Sequence, residues 1–189
     1  MRSVIINLDH RPDRLESAYK QTKKLLPYMP PVRFGAYSQP DPIRANGRSH
    51  MACLKSGYEL IFEDDVEIIN PDLFQIARVE LPTNYDLMYL GGNILEPLNR
   101  YSEHLYKLTA CFGTFAILYS KKGAKYVIEN YDPMRDDVYD LWLRNRMDIL
   151  NCYMCAPMIT TTIKSYSDVL NQDVDYRKEM ADNAERFMI

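Results

Sequence analysis

The run Leu60-Ile61-Phe62-Glu63-Asp64-Asp65-Val66 carries the strongest chemical signal in the chain: an apolar stretch with strand character that ends in three consecutive carboxylates. In extended backbone, residues two apart share a side, so the spacing predicts Glu63 and Asp65 facing one point and Asp64 facing away. Two carboxylates crowded at a buried strand end repel each other unless a cation relieves them. Mg²⁺ or Mn²⁺ typically takes one or two protein carboxylates and completes its shell with water and phosphates. That chemistry suits a nucleotide-diphosphate donor, although the same run also fits a solvated strand end.

A second signal is Arg11 and Arg14, directly after the apolar run Ser3 to Leu8. Ligands of open α/β sheets sit beyond the carboxyl ends of strands, where forked arginine donors can meet phosphate oxygens. Surface ion pairs with Asp9, Asp13 and Glu16 explain the same residues equally well. Arg44, Arg48 and His50 form a similar polar group around a Pro-rich stretch, and His50 alone reads as a residue at a helix start. Cys152-x-x-Cys155 lies in a strand-like run, and Cys53 and Cys111 are isolated, so neither zinc nor redox chemistry is supported and the pair reads as buried and structural.

Positioning these groups requires alternating elements. Strands are expected at Ser3 to Leu8, Val32 to Phe34, Tyr58 to Phe62, Tyr85 to Leu90, Cys111 to Tyr119 and Ile149 to Cys155. Helices are expected at Arg14 to Leu26, His50 to Ser56 (after a loop from Ser38 to Arg48), Leu73 to Val79, Lys122 to Asn130, and from Asp132-Pro133 through Trp142, before a polar tail. The alternation predicts one α/β domain over residues 1–189, with a mostly parallel sheet flanked by helices. The length fits the roughly 100–200 residues of one domain.

Composition narrows the function. With only 7 glycines, the chain has no G-x-x-x-x-G-K-[ST] or G-x-G-x-x-G motif, so any phosphate must be held differently. Lys+Arg 23 against Asp+Glu 26 gives a net charge of -3, without the basic excess of a nucleic-acid binder. No apolar run approaches the ~18 residues of a membrane span, the N-terminal apolar stretch is too short for a signal peptide, and four irregularly spaced cysteines suggest a reducing, cytoplasmic setting.

Taken in order, several segments resemble glycosyltransferase family 25, which includes lipopolysaccharide and collagen galactosyltransferases. Ile5-Ile6-Asn7-Leu8-Asp9-His10-Arg11-Pro12-Asp13-Arg14 is similar to the family's I-N-L-x-R-x-x-x-R segment, and Arg33-Phe34-Gly35-Ala36 to its R-F-x-A segment. Ser49-His50 resembles its serine-histidine helix, and Phe62-Glu63-Asp64-Asp65-Val66 its L-E-D-D-V metal motif. Further matches are Asp86 to Gly91 with D-x-x-x-L-G, Gly113 to Ala124 with G-T-x-A-Y-x-x-S-x-x-G-A, and Tyr166-Ser167-Asp168-Val169 with the terminal S-D-I. The tail lacks the His that often supplies a third metal ligand in this fold.

The resemblance implies a GT-A (Rossmann-like) fold and a metal-dependent hexosyltransferase, in which Mn²⁺ or Mg²⁺ on Asp65, with Glu63 or Asp64, stabilises a nucleotide-sugar donor's diphosphate. It implies a uridine-linked donor, a glycan or other hydroxyl acceptor, and inversion at the anomeric carbon. Asn7, Leu8, Asp9, Arg11, Arg14, Arg48, Asp64, Gly113 and Thr114 would contact the donor. A carboxylate among Asp136, Asp137 and Asp140, with Asp137 favoured, would take the acceptor proton; a helix N-terminus attracts acidic residues for dipole reasons too. Competing readings are another metal-dependent nucleotidyl or phosphoryl transferase and a non-catalytic sugar-nucleotide-binding scaffold of the same fold.

Overall fold

The computed structural model describes residues 1–38, 41–167 and 172–188. The chain begins β1 (Ser3–Asn7), α1 (Pro12–Leu25), β2 (Val32–Gly35), α2 (Pro42–Lys55), β3 (Leu60–Glu63), β4 (Val66–Ile68), α3 (Leu73–Glu80) and β5 (Leu87–Tyr89). Short strands follow: β6 (Asn93–Ile94), β7 (Asn99–Arg100), β8 (Leu105–Lys107), β9 (Cys111–Phe112) and β10 (Ala116–Tyr119). Then come α4 (Lys121–Asn130), α5 (Tyr139–Arg144), β11 (Cys152–Cys155), β12 (Thr160–Thr162), β13 (Ser165–Ser167), β14 (Gln172–Val174) and α6 (Arg177–Phe187).

Eight strands form the central sheet in the order β2-β1-β3-β10-β5-β11-β8-β7. β1 is parallel to β2 and β3, and β11 to β5, while β10 runs antiparallel to both of its neighbours. β8 and β7 are antiparallel additions. The sheet is therefore mixed, not mostly parallel: its parallel pairs are β1 with β2 and β3, and β5 with β11. β1 and β3 read as continuous apolar runs because they are covered on both faces: Val4, Ile5, Leu60, Ile61 and Phe62 are fully buried.

From β1 the chain crosses through α1 to β2, then returns over β1 through α2 to reach β3 on its other side. This reversal is a topological switch point, and the crevice it leaves beyond the carboxyl ends of β1 and β3 is where ligands of open α/β sheets bind. Pro12 at the first turn of α1 and Lys23 and Lys24 at its last suit the helix ends. Its buried face is Arg14, Ala18, Thr22 and Leu25, so a charged residue takes an inward position.

Several elements differ from the sequence reading. α2 starts at Pro42, not near His50, so Arg44 and Arg48 lie on a helix instead of a loop. The Asn46-Gly47 pair, an ordinary turn signal, is overridden by packing: a side chain at Gly47 would collide with the Tyr131 ring, so a small residue is required inside the helix. The single strand expected over Cys111 to Tyr119 splits into β9 and β10 around Gly113, whose φ of +117° favours glycine. Residues 132–136 form a turn instead of a helix, and α5 starts at Tyr139. The tail holds β12, β13, β14 and α6. No helix among the described residues is long and apolar enough to cross a membrane.

Candidate functional site

The crevice is organised by Asn7, the last residue of β1. Its Nδ2 donates to the Arg11 carbonyl at 2.8 Å and to Asp64 Oδ2 at 2.7 Å, while its Oδ1 accepts from Arg33 Nε at 3.0 Å. Asn7 thus ties the start of α1, the end of β3 and the edge strand β2 together. Arg14 completes the tie: its guanidinium meets Asp64 Oδ1 at 3.1 Å, with both side chains almost wholly buried. Burial weakens the acidity of Asp64, the nearby Glu63 charge adds to that, and the bonds from Asn7 and Arg14 offset only part of it.

Glu63 faces the opposite way. Its Oε1 accepts from Asn46 Nδ2 at 3.2 Å, His50 Nε2 at 3.0 Å and the Thr114 hydroxyl. Burial opposes its ionisation, but these donors and the His50 ring prevail and hold its acidity stronger than usual. An ionised carboxylate only accepts, so the proton between the pair sits on Nε2. Oε2 has no hydrogen-bond partner among the described residues, and about a fifth of the side chain, 22%, remains exposed.

Asp65 follows in the turn between β3 and β4. Its carbonyl accepts from Ile163 N at 2.8 Å, yet its carboxylate Oδ1 is covered and has no partner. The residue as a whole is half-buried. Burial first, then the charges of Glu63 and Asp64, push its pKa up to about 7. Glu63 and Asp64 thus face opposite ways, as the alternation of extended backbone predicts, and Asp65 lies near enough to Glu63 for that charge to act on it.

A fourth carboxylate joins from α5. Asp140 accepts the Gly113 backbone N–H with both oxygens, at 3.0 and 3.1 Å. Burial pushes its pKa up to about 7, with Glu63 adding to the rise and the Gly113 N–H opposing it. The two other acidic candidates stay outside. Asp136 accepts from the Asp132 N–H at 2.7 Å within its own turn, and Asp137 is exposed. Asp140, not the favoured Asp137, is the carboxylate that shares an electrostatic neighbourhood with Glu63.

The remaining donor candidates are engaged with protein groups. Arg11 pairs with Asp13 at 2.9 Å, Asp9 with Arg33, and the Arg48 guanidinium lies 4.6 Å from the Tyr37 ring centre. Leu8 follows β1 directly, and Thr114 is buried against Glu63. Asp168 and Val169 lie outside the described residues. All four cysteines are free and buried, and burial pushes the Cys152 and Cys155 thiols up to about 12, as a structural role requires. No group of three or more His, Cys, Asp or Glu side chains able to hold a metal exists among the described residues.

Sequence reasoning missed Asn46 and His50 as partners of Glu63, and Arg33 as the partner of Asn7. The signal for the first pair was present: four residues apart, they share one helix face once the helix extends back to Pro42. Arg33 stood in the R-F-x-A segment without an assigned role.

No family model matches the sequence, and no curated protein matches it. Among solved structures the chain is similar to A197 from STIV, at 10% identity and a TM-score of 0.50, over 92% of this chain and 93% of that one. At that identity the likeness shows the fold alone: a mixed α/β sheet flanked by helices, shared over nearly the whole length.

Proposed function

We propose that the chain transfers a glycosyl group from a nucleotide-sugar donor to a hydroxyl acceptor, with a divalent cation, on a GT-A fold. The observation that carries this reading is the covered, unpartnered oxygen of Asp65 in the turn after β3, near enough to Glu63 to feel its charge. A carboxylate in that position, with its pKa raised to about 7 by burial and by two neighbouring charges, suits a site that a cation completes. Two carboxylates fit Mg²⁺ or Mn²⁺, which leaves most of its shell to water and phosphate oxygens; a zinc-type cage of three or four side chains is not required. Asp65 and Glu63 would hold it. When bound, it supplies Lewis-acid stabilisation to the charge that develops on the donor diphosphate.

The chain's own residues do the rest. Asp64, locked by Asn7 and Arg14, keeps the turn after β3 fixed against the first βα unit, so the carboxylates on either side of it do not drift. Thr114 holds Glu63 through its hydroxyl, and Gly113 holds Asp140 through its backbone N–H. Asp140, half-buried and with a pKa near 7, takes the proton of the acceptor hydroxyl; an acid group tuned near the working pH is the efficient choice for that task.

The test is turnover of uridine- and guanosine-linked sugars with Mn²⁺. Wild type is expected to release nucleotide in a metal-dependent way and Asp65→Ala to lose that dependence. Unchanged metal-dependent turnover in Asp65→Ala overturns the assignment. Sugar-nucleotide binding by wild type without turnover would replace catalysis by a binding role, and a thermal shift with nucleoside triphosphates alone would favour nucleotidyl transfer.

A further inference from the structure

The three donors that converge on one oxygen of Glu63 have a purpose beyond satisfying a charge. Asn46 and His50 stand one helical turn apart on α2, and Thr114 approaches from the segment ahead of β10. His50 is fully buried, with its ring 4.9 Å from that of Tyr139 at a 33° tilt. Its Nδ1 is also buried and has no partner among the described residues. A ring placed for packing alone would be served better by an apolar side chain, which leaves no orphaned nitrogen. The orphan is tolerated because the other nitrogen makes a charge-assisted bond to Glu63.

We propose that His50, backed by Tyr139 and assisted by Asn46, is a positioning residue that fixes Glu63 in one orientation and turns its second oxygen toward the cation. This rests on the metal-dependent reading above. Three donors on Oε1 remove the rotational freedom of the carboxylate, so Oε2 points outward at no further entropic cost when a ligand binds. The tie also links the site to α5: Tyr139 supports the His50 ring, and its neighbour Asp140 holds the Gly113 N–H.

The experiment uses the full chain, with Mn²⁺ alone as probe. Calorimetric or electron-paramagnetic titration is expected to show at least a tenfold weaker Mn²⁺ affinity in His50→Phe, which keeps a ring against Tyr139 but donates nothing. His50→Gln, whose amide restores a donor, is expected to recover to within about threefold of wild type. Should His50→Phe fail to fold, Thr114→Val removes another donor to the same oxygen and is expected to weaken Mn²⁺ in the same direction. Nitrogen NMR of metal-free wild type is expected to place the His50 ring proton on Nε2. A ring proton on Nδ1 alone, or wild-type Mn²⁺ affinity in His50→Phe, overturns the proposal. If wild type binds no Mn²⁺ and turns over no nucleotide sugar, the functional reading fails while the clamp is still decided by the Nε2 proton and by a displaced Glu63 carboxyl carbon signal in His50→Phe.

Discussion

Two acidic clusters, Glu63-Asp64-Asp65 and Asp136-Asp137-Asp140, look alike as sequence and behave differently as structure. In the first, all three carboxylates are drawn into the interior, each to a separate set of partners: His50, Asn46 and Thr114 for Glu63, Asn7 and Arg14 for Asp64, and no partner for Asp65 Oδ1. In the second, two carboxylates stay outside and Asp140 alone reaches inward. The first cluster starts on the last residue of a central strand and continues into the turn after it, and the second crosses from a loop into a short helix. Proximity in sequence is therefore a poor guide to convergence, and what decides is whether the backbone carrying the charges is itself buried.

The sharpest way to separate the members of the second cluster is turnover. Asp140→Asn is expected to lower it about 10²–10⁴-fold, the usual worth of a general base, whereas Asp137→Asn leaves it unchanged. Equal losses in both would erase the distinction. Within the first cluster, Arg14→Met strands the buried charge of Asp64 and is expected to cost about 3–5 kcal/mol, read as a drop in Tm, with most of it regained in Arg14→Met/Asp64→Leu. A double variant as unstable as the single one would show that Asp64 does not depend on Arg14.

The smallest effect concerns pH. Asp65 and Asp140 have folded pKa values near 7, above the usual range of an unfolded Asp. Between about pH 4 and 7 the folded state holds protons that the unfolded state has lost, so stability from these groups falls as pH rises and levels off above 7. In metal-free protein, Asp65→Asn is expected to flatten that decline and to raise stability at pH 8 by on the order of 2 kcal/mol. An unchanged melting profile across this range would show that Asp65 carries no such strain.

Much of the frame was legible in the sequence. β1, α1, β2, β3, α3 and α4 fall close to where apolar runs and helical spacing put them, because burial on both faces of a strand and capping by residues such as Ser120 leave direct marks. The site was legible as residue types but not as geometry. Extended alternation put Glu63 and Asp64 on opposite sides but could not name their partners, and a glycine required by Tyr131 disguised the start of α2 and with it the Asn46–His50 face. The tail was missed because its strands are three residues each and α6 buries only Met180 fully, too little apolar pattern to register.

The reversed strand β10 decides which stretch of backbone reaches the crevice. A strand parallel to β3 would end there, and the segment ahead of it would lie at the far edge of the sheet. Because β10 runs the other way, with Ala116 opposite Phe62, its entry lies at the rim, and the Gly113 N–H just ahead of it anchors Asp140. A single change of chain direction thus brings one backbone donor and the Thr114 hydroxyl to the rim, each holding an acid group in place among other acids.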